Sequence, residues 1–169
     1  LFLSRRDHRR DPKAYSMTSY SALFLGTGAS LGVPIIGCNC AVCTSKNPKN
    51  HRLRSSLLLT YGDKKVVIDA GPDFREQALR YQINELDGVI FTHAHQDHAG
   101  GIDDLRVYHF KNKCALPALV SKETAEDLTR RFYFMFDPGK EKIALETLNQ
   151  LKGQTSFLGI PLSYFSYHQ

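Results

Sequence analysis

His93-Ala94-His95-Gln96-Asp97-His98 puts four metal-competent side chains into six residues. The stretch follows Asp87–Phe91 (DGVIF), a short apolar run that reads as a buried strand. Alternate side chains of extended chain share a face, so His93 and His95 can converge on one ion. A turn at Gln96 would redirect Asp97 and His98 to a neighbouring position, and Gly100-Gly101 lets the backbone bend sharply into the next helix. Two imidazoles plus a later third suit a tetrahedral divalent ion with one open position; a carboxylate with an imidazole suits a second ion beside it. Two ions about 3.5–4 Å apart can clamp the oxygens of a phosphoryl centre and bring the pKa of a shared water toward ~7, so that hydroxide exists at neutral pH.

A second cluster has different chemistry. Cys38, Cys40 and Cys43 form C-x-C-x-x-C. Three crowded thiols make a poor disulfide framework, and in a chain read as cytosolic they point to metal. Closed sulfur-rich zinc sites hold loops and leave no position for substrate. The cluster therefore reads as a structural Zn²⁺ site pinning the irregular stretch over 26–50, one ligand short of a tetrahedron, with His51 in reserve. Cys114, the remaining cysteine, reads as a small buried hydrophobe. Arg54 and Arg106 read as surface charges able to meet a phosphate.

These residues need elements to position them. Tyr20–Leu25 reads as a strand, cut off by Gly26-Thr27-Gly28. Ser55–Tyr61 and Lys64–Ala70 read as a hairpin turned at Gly62-Asp63. Pro72–Tyr81 has the spacing of a helix, with Pro72 near its first position and Asp73 and Glu76 in its first turn. Ile102–Phe110 reads as helix and Pro117–Val120 as strand. Ser121 reads as the cap of a helix to about Arg131, Ile143–Leu151 fits helix or strand, and Ile160–Tyr167 alternates as a strand. The run Phe132–Phe136 reads as core or a lid contact. Strand pairs mixed with single helices indicate an α/β layered fold.

Composition bounds the rest. The chain has 169 residues, of which 42% are apolar, enough for one domain or part of one. Residues 1–16 hold five basic and two acidic side chains, so +3 of the net +5 falls in a segment without apolar periodicity. That segment reads as a disordered basic leader ahead of a start at Met17, and 17–169 as the N-terminal portion of a folded domain. The mild charge of the body disfavours nucleic acid as the main partner. No apolar run approaches the ~20 residues a membrane span needs, so the expectation is a cytoplasmic protein with no membrane partner. A homodimer stays open.

THAHQDHAGG (92–101), LFLGTGASLGVP (23–34) and VVIDAG (66–71) together resemble the metallo-β-lactamase superfamily, in its phosphodiesterase and ribonuclease Z-like branch. GCNCAVC (37–43) narrows the resemblance to the phosphoribosyl 1,2-cyclic phosphate phosphodiesterase family. The resemblance covers about residues 20–110. It implies a metallo-β-lactamase-like αβ/βα sandwich of which this chain carries the N-terminal part, the second half being missing. It implies a metal-dependent hydrolase, foremost a phosphodiesterase acting with a metal-activated hydroxide on a small, cyclic or linear, phosphodiester. The alternatives are a ribonuclease Z-like RNA phosphodiesterase and a non-catalytic zinc-binding fragment.

The implied cofactors are two divalent ions, Zn²⁺ or Mn²⁺, and one structural Zn²⁺. His93 and His95 would hold the first ion together with His168, which on the residues alone would be a plain surface histidine. Asp97 and His98 would hold the second ion and form the catalytic pair. Asp69 would accept a hydrogen bond from a ligand histidine; on the residues alone it also reads as a helix N-cap ahead of Pro72. In that family the fourth ligand of the cysteine site, a bridging aspartate and a further histidine lie nearer the C-terminus than this chain reaches. Residues 1–169 alone are therefore expected to bind metal weakly and turn over little.

Overall fold

The computed structural model describes residues 19–166; the basic leader, the start at Met17 and His168 lie outside the described residues. Among the described residues, six strands form one mixed sheet in sequence order: β1 (Tyr20–Gly26), β2 (Ser56–Tyr61), β3 (Lys64–Ile68), β4 (Gly88–Ile90), β5 (Leu116–Ser121) and β6 (Ile143–Leu148). The first three are antiparallel neighbours; β3 through β6 run parallel. Parallel neighbours need crossovers, and helices supply them. These are α1 (Phe74–Arg80) after β3, α2 (Gln96–Ala99) and α3 (Arg106–Asn112) after β4, and α4 (Lys122–Arg131) after β5.

Local chemistry explains several of these elements. Gly62, at φ 59°, makes the tight turn between β2 and β3, a conformation glycine adopts without steric cost. Ser121 caps α4, its hydroxyl accepting from the Thr124 N–H at 3.2 Å. The helix expected from Pro72 starts two residues later. Asp73 stands at its N-cap without a side-chain cap bond, because its carboxylate is taken by Arg54. Residues 102–105 form a 3₁₀ turn ahead of α3, where one helix was expected. The ambiguous Ile143 stretch is strand, paired along its length with β5.

Each face of the sheet is buried against something different. One face meets the helices in a core that includes Leu25, Val67, Val89, Ala118, Phe74, Ile102, Leu105 and Leu128. Met135 is fully buried in that core and Phe132, Phe134 and Phe136 pack partly buried against it, while Tyr133 is exposed, so the 132–136 run is core except at Tyr133. The other face is covered by a hairpin, β7 (Lys152–Phe157) and β8 (Ile160–Phe165), whose Phe157 and Ile160 pack on Val66 and Leu119. β7 is absent from the sequence reading; its residues are mostly polar, and its pairing with β8 holds it in place. Leu158 and Gly159, both at positive φ, make the two-residue loop that suits strand twist. Val66 and Val67 are buried on opposite faces, as a central strand requires.

The hairpin's anchor can be tested directly. Phe157→Ala is expected to lower stability by about 3–5 kcal/mol in urea unfolding, the usual cost of emptying a phenylalanine site in a core.

Candidate metal centre

In a parallel sheet, groups converge where the chain leaves the carboxyl ends of the strands. Here β3 and β4 are neighbours, with Ile68 opposite Ile90. The residues leaving them, Asp69 from β3 and Thr92 to His98 from β4, are therefore brought side by side. Asp69 is buried and at φ 61°, a left-handed conformation that Asp tolerates better than most residues but that still costs about 1 kcal/mol or more. Its backbone is held at both ends: its N–H donates to Ile90 O (2.9 Å), and the Ser56 hydroxyl donates to its carbonyl (2.7 Å). The strained backbone aims the carboxylate at the histidine motif.

That carboxylate sets the proton positions around it. Thr92 donates its N–H to Asp69 Oδ1 (2.8 Å) and its hydroxyl to Oδ2 (2.7 Å). His98 Nδ1 lies 2.7 Å from Oδ2. An ionised carboxylate only accepts, so a neutral His98 carries its proton on Nδ1 and leaves Nε2 with a lone pair. The Thr92 hydroxyl has spent its one proton on Asp69, so it accepts from His93 Nδ1 at 3.0 Å. His93 Nε2 is then also a free lone pair. One carboxylate thus fixes the tautomers of two histidines, directly at His98 and through a hydroxyl at His93.

The rings gather on the same side. His93 stands 4.6 Å from His95 and 4.1 Å from His98 between ring centroids. Asp97 Oδ2 is 3.4 Å from His98 Nε2, so the carboxylate and the lone pair face one small volume. Burial, and then the neighbouring His98 and His95, lower the His93 pKa below its ordinary value. That favours the neutral ring, the form with a lone pair to give. Three imidazoles and a carboxylate are a donor set that suits a divalent cation by its chemistry; among the described residues, though, the group of three or more such side chains whose ligand atoms all lie within 4.8 Å of one another is that of the cysteines.

His93 and His95 lie in the loop after β4, which ends at Ile90, and not on the strand itself. The loop that carries them is clamped. The 69–71 and 97–101 backbones touch: a Cβ at Gly71 would overlap the Asp97 carbonyl, and one at Gly101 would overlap Gly71 O, while Gly101 N–H donates to Ala70 O at 2.9 Å. Both glycines are required by that close approach.

The cysteines form a separate group. The sulfurs of Cys38, Cys40 and Cys43 all lie within 4.8 Å of one another, in a loop that turns at Gly37 (φ 76°). The Cys43 N–H and then the Cys38 thiol bring Cys40 down to about 7, toward the thiolate that binds metals. The Ile35 N–H acts to lower Cys43, but burial and the adjacent thiols outweigh it and push Cys43 up. His51 Nε2 lies 3.3 Å from the Ser45 carbonyl, and the sulfur group comprises the three cysteines without it.

One expectation changes. Cys114 is exposed, not buried, because it follows Lys113, whose left-handed backbone (φ 55°) turns the chain between α3 and β5 at the surface. Arg54 is paired with Asp73 at 2.7 Å and Arg106 with Asp103 at 2.5 Å; both side chains are partly exposed, and each is already engaged by a carboxylate. His168 lies outside the described residues. The role of Thr92 escaped the sequence reading, although its place directly before the motif was a signal.

Residues 64–166 match the family described as a beta-lactamase superfamily domain. A diphosphatase from the PhnP family, known by crystal structure, superposes with a TM-score of 0.76 at 36% identity, covering 86% of this chain and 56% of that one. Zn²⁺-bound PqqB from Methylobacterium extorquens superposes with a TM-score of 0.66 at 19% identity, covering 81% of this chain and 48% of that one, a likeness of fold. A curated relative from Porphyromonas gingivalis, named octanoyltransferase, is 42% identical over 115 residues, which is 68% of this chain and 23% of that protein. The chain thus spans about half the length of these solved relatives and under a quarter of the curated one.

Asp69→Asn can keep an acceptor on the Thr92 N–H but puts a donor in place of Oδ2, against the Thr92 hydroxyl and His98 Nδ1, and it keeps a residue that tolerates the left-handed backbone. It is expected to cost about 1–3 kcal/mol in urea unfolding. It should also release the fixed Nδ1–H tautomer of His98, read by ¹⁵N NMR of the imidazole.

Proposed function

On the premise that this chain belongs to the beta-lactamase superfamily, which the match over residues 64–166 establishes, we propose that it carries the metal-binding half of a metal-dependent phosphodiesterase. The reading is supported most by the Asp69–Thr92–His93/His98 hydrogen-bond set, which engages Nδ1 of both histidines and leaves each Nε2 available, with that of His98 3.4 Å from Asp97 Oδ2. The 36% identity to a PhnP-family diphosphatase favours phosphoester chemistry over the acyl transfer suggested by the name of the Porphyromonas relative, of which this chain covers only 23%.

His93 and His95 would hold one divalent ion, with His168 as the third ligand, and Asp97 with His98 would hold a second. The chemistry such ions supply, whether Zn²⁺ or Mn²⁺, is polarisation of a phosphoryl oxygen and acidification of a water at neutral pH. The protein's own contributions are distinct from that. Asp69 keeps His98 and, through Thr92, His93 in the tautomers whose Nε2 faces outward. The low basicity of His93 keeps protons from competing for its lone pair. Gly71 and Gly101 hold the two loops in contact, so Asp97 and His98 keep their place relative to Asp69.

Cys38, Cys40 and Cys43 would bind a structural Zn²⁺ that closes the long loop between β1 and β2. A small phosphodiester, cyclic or linear, is the substrate class that the motif set favours, in a protein taken to work in the cytoplasm.

Two assays test the reading. The intact gene product should hydrolyse bis-p-nitrophenyl phosphate with Zn²⁺ or Mn²⁺ and stop after chelation, and Asp97→Ala should lower kcat by at least a hundredfold. Hydrolysis that persists without metal, or in Asp97→Ala, would sink the phosphodiesterase reading. Bound zinc should fall by one equivalent in Cys40→Ser; an unchanged count would remove the cysteines from the ligands.

A further inference from the structure

The loop carrying His93 and His95 is gripped from two sides. From β3, Asp69 holds the Thr92 N–H and hydroxyl. From the opposite side comes Arg131, in the last turn of α4 and far off in sequence. Its Nη1 donates to the carbonyl of Ala94, the residue between the two histidines. Its Nη2 donates to Gln96 Oε1 at 2.7 Å, on the first residue of α2. The guanidinium is itself oriented. Asp127, one turn earlier, lies 3.4 Å from Nη1, and the Phe132 ring lies 5.1 Å beneath the guanidinium carbon. The side chain is 30% exposed, whereas the neighbouring Arg130 is 79% exposed and turns to Asp127.

We propose that Arg131 is a positioning residue for the metal motif: one guanidinium fixes the Ala94–His95 peptide and the start of α2 together, and so the relative placement of the His93/His95 pair and the Asp97/His98 pair. The inference rests on the reading of residues 93–98 as ligands.

The physical reason is the fork. The Ala94 carbonyl belongs to the peptide that links Ala94 to His95, so holding that carbonyl limits rotation at Ala94 and at His95, the residue after His93 and the second histidine itself. Gln96 opens α2, whose next two residues are Asp97 and His98. A planar guanidinium can serve both acceptors from one fixed position; a lysine ammonium offers a single point on a flexible stem. Ala94 also packs against the core, so the loop has little freedom to compensate once the carbonyl is released.

The test compares Arg131→Ala, Arg131→Lys and Arg130→Ala in the whole protein by two readouts. In the metal-free protein, amide hydrogen exchange over 93–98 should quicken at least tenfold in Arg131→Ala, with β3 and β5 unchanged, and less in Arg131→Lys. Titration with Co²⁺ should show the dissociation constant of the nitrogen–oxygen site raised about 10–100-fold in Arg131→Ala. The thiolate-to-cobalt charge-transfer band of the cysteine site should stay as in the parent, and Arg130→Ala should match the parent in both readouts. Exchange and Co²⁺ affinity within twofold of the parent would overturn the proposal. So would equal effects from Arg130→Ala. If Arg131→Ala does not fold, Arg131→Lys decides by the same criteria. A parent that takes up no Co²⁺ at the histidines would defeat the ligand reading, while the exchange readout would still decide whether Arg131 clamps the loop.

Discussion

The Asp69 carboxylate accepts from the Thr92 N–H, from the Thr92 hydroxyl and from His98 Nδ1, all at 2.7–2.8 Å, inside a residue that is 5% exposed. A buried carboxylate has to be satisfied, because an unpaired charge in the interior is far costlier than any of these bonds is strong. The surroundings are built to satisfy it. The consequence reaches beyond stability: each donor that satisfies Asp69 gives up a proton direction. His98 is left with Nε2 bare, and His93 follows through the threonine. The metal-competent side of the motif is thus decided from behind, by a group that would touch no metal.

The fold exists around that constraint. Parallel β3 and β4 deliver the aspartate and the histidine loop to the same end of the sheet. Gly71 and Gly101 allow the two loops to touch backbone to backbone, a contact that any side chain at either position would block. The helices cover one sheet face and the β7–β8 hairpin part of the other, so the strands that carry the site are packed on both sides. The left-handed backbone of Asp69 is a local strain that the Ile90 and Ser56 hydrogen bonds help to hold.

Much of this was legible in the residues, and the rest fails for physical reasons. The β2–β3 hairpin announced itself through Gly62-Asp63, α4 through Ser121, and the α/β class through alternating short elements. The histidine and cysteine clusters were visible because metal chemistry demands particular side chains at short spacing. β7 was not visible: Lys152–Phe157 has little strand character of its own and is held by its partner strand and by one phenylalanine in the core. Asp69 was legible as an acceptor behind a histidine only through the family resemblance. The Thr92 relay and the reach of Arg131 to Ala94 depend on side-chain directions and on contacts between residues distant along the chain, which spacing does not encode.

The two clusters differ in ligand softness. Thiolates in a tight loop suit a closed site, whereas imidazoles and a carboxylate at a strand end suit one with room for substrate. X-ray absorption on the Zn²⁺-loaded protein separates the two most directly. The account requires a mixed first shell, with nitrogen and oxygen scatterers at about 2.0–2.1 Å alongside sulfur at about 2.3 Å, and imidazole outer-shell features that weaken in Asp69→Asn. A shell of sulfur alone at every zinc loading would contradict it.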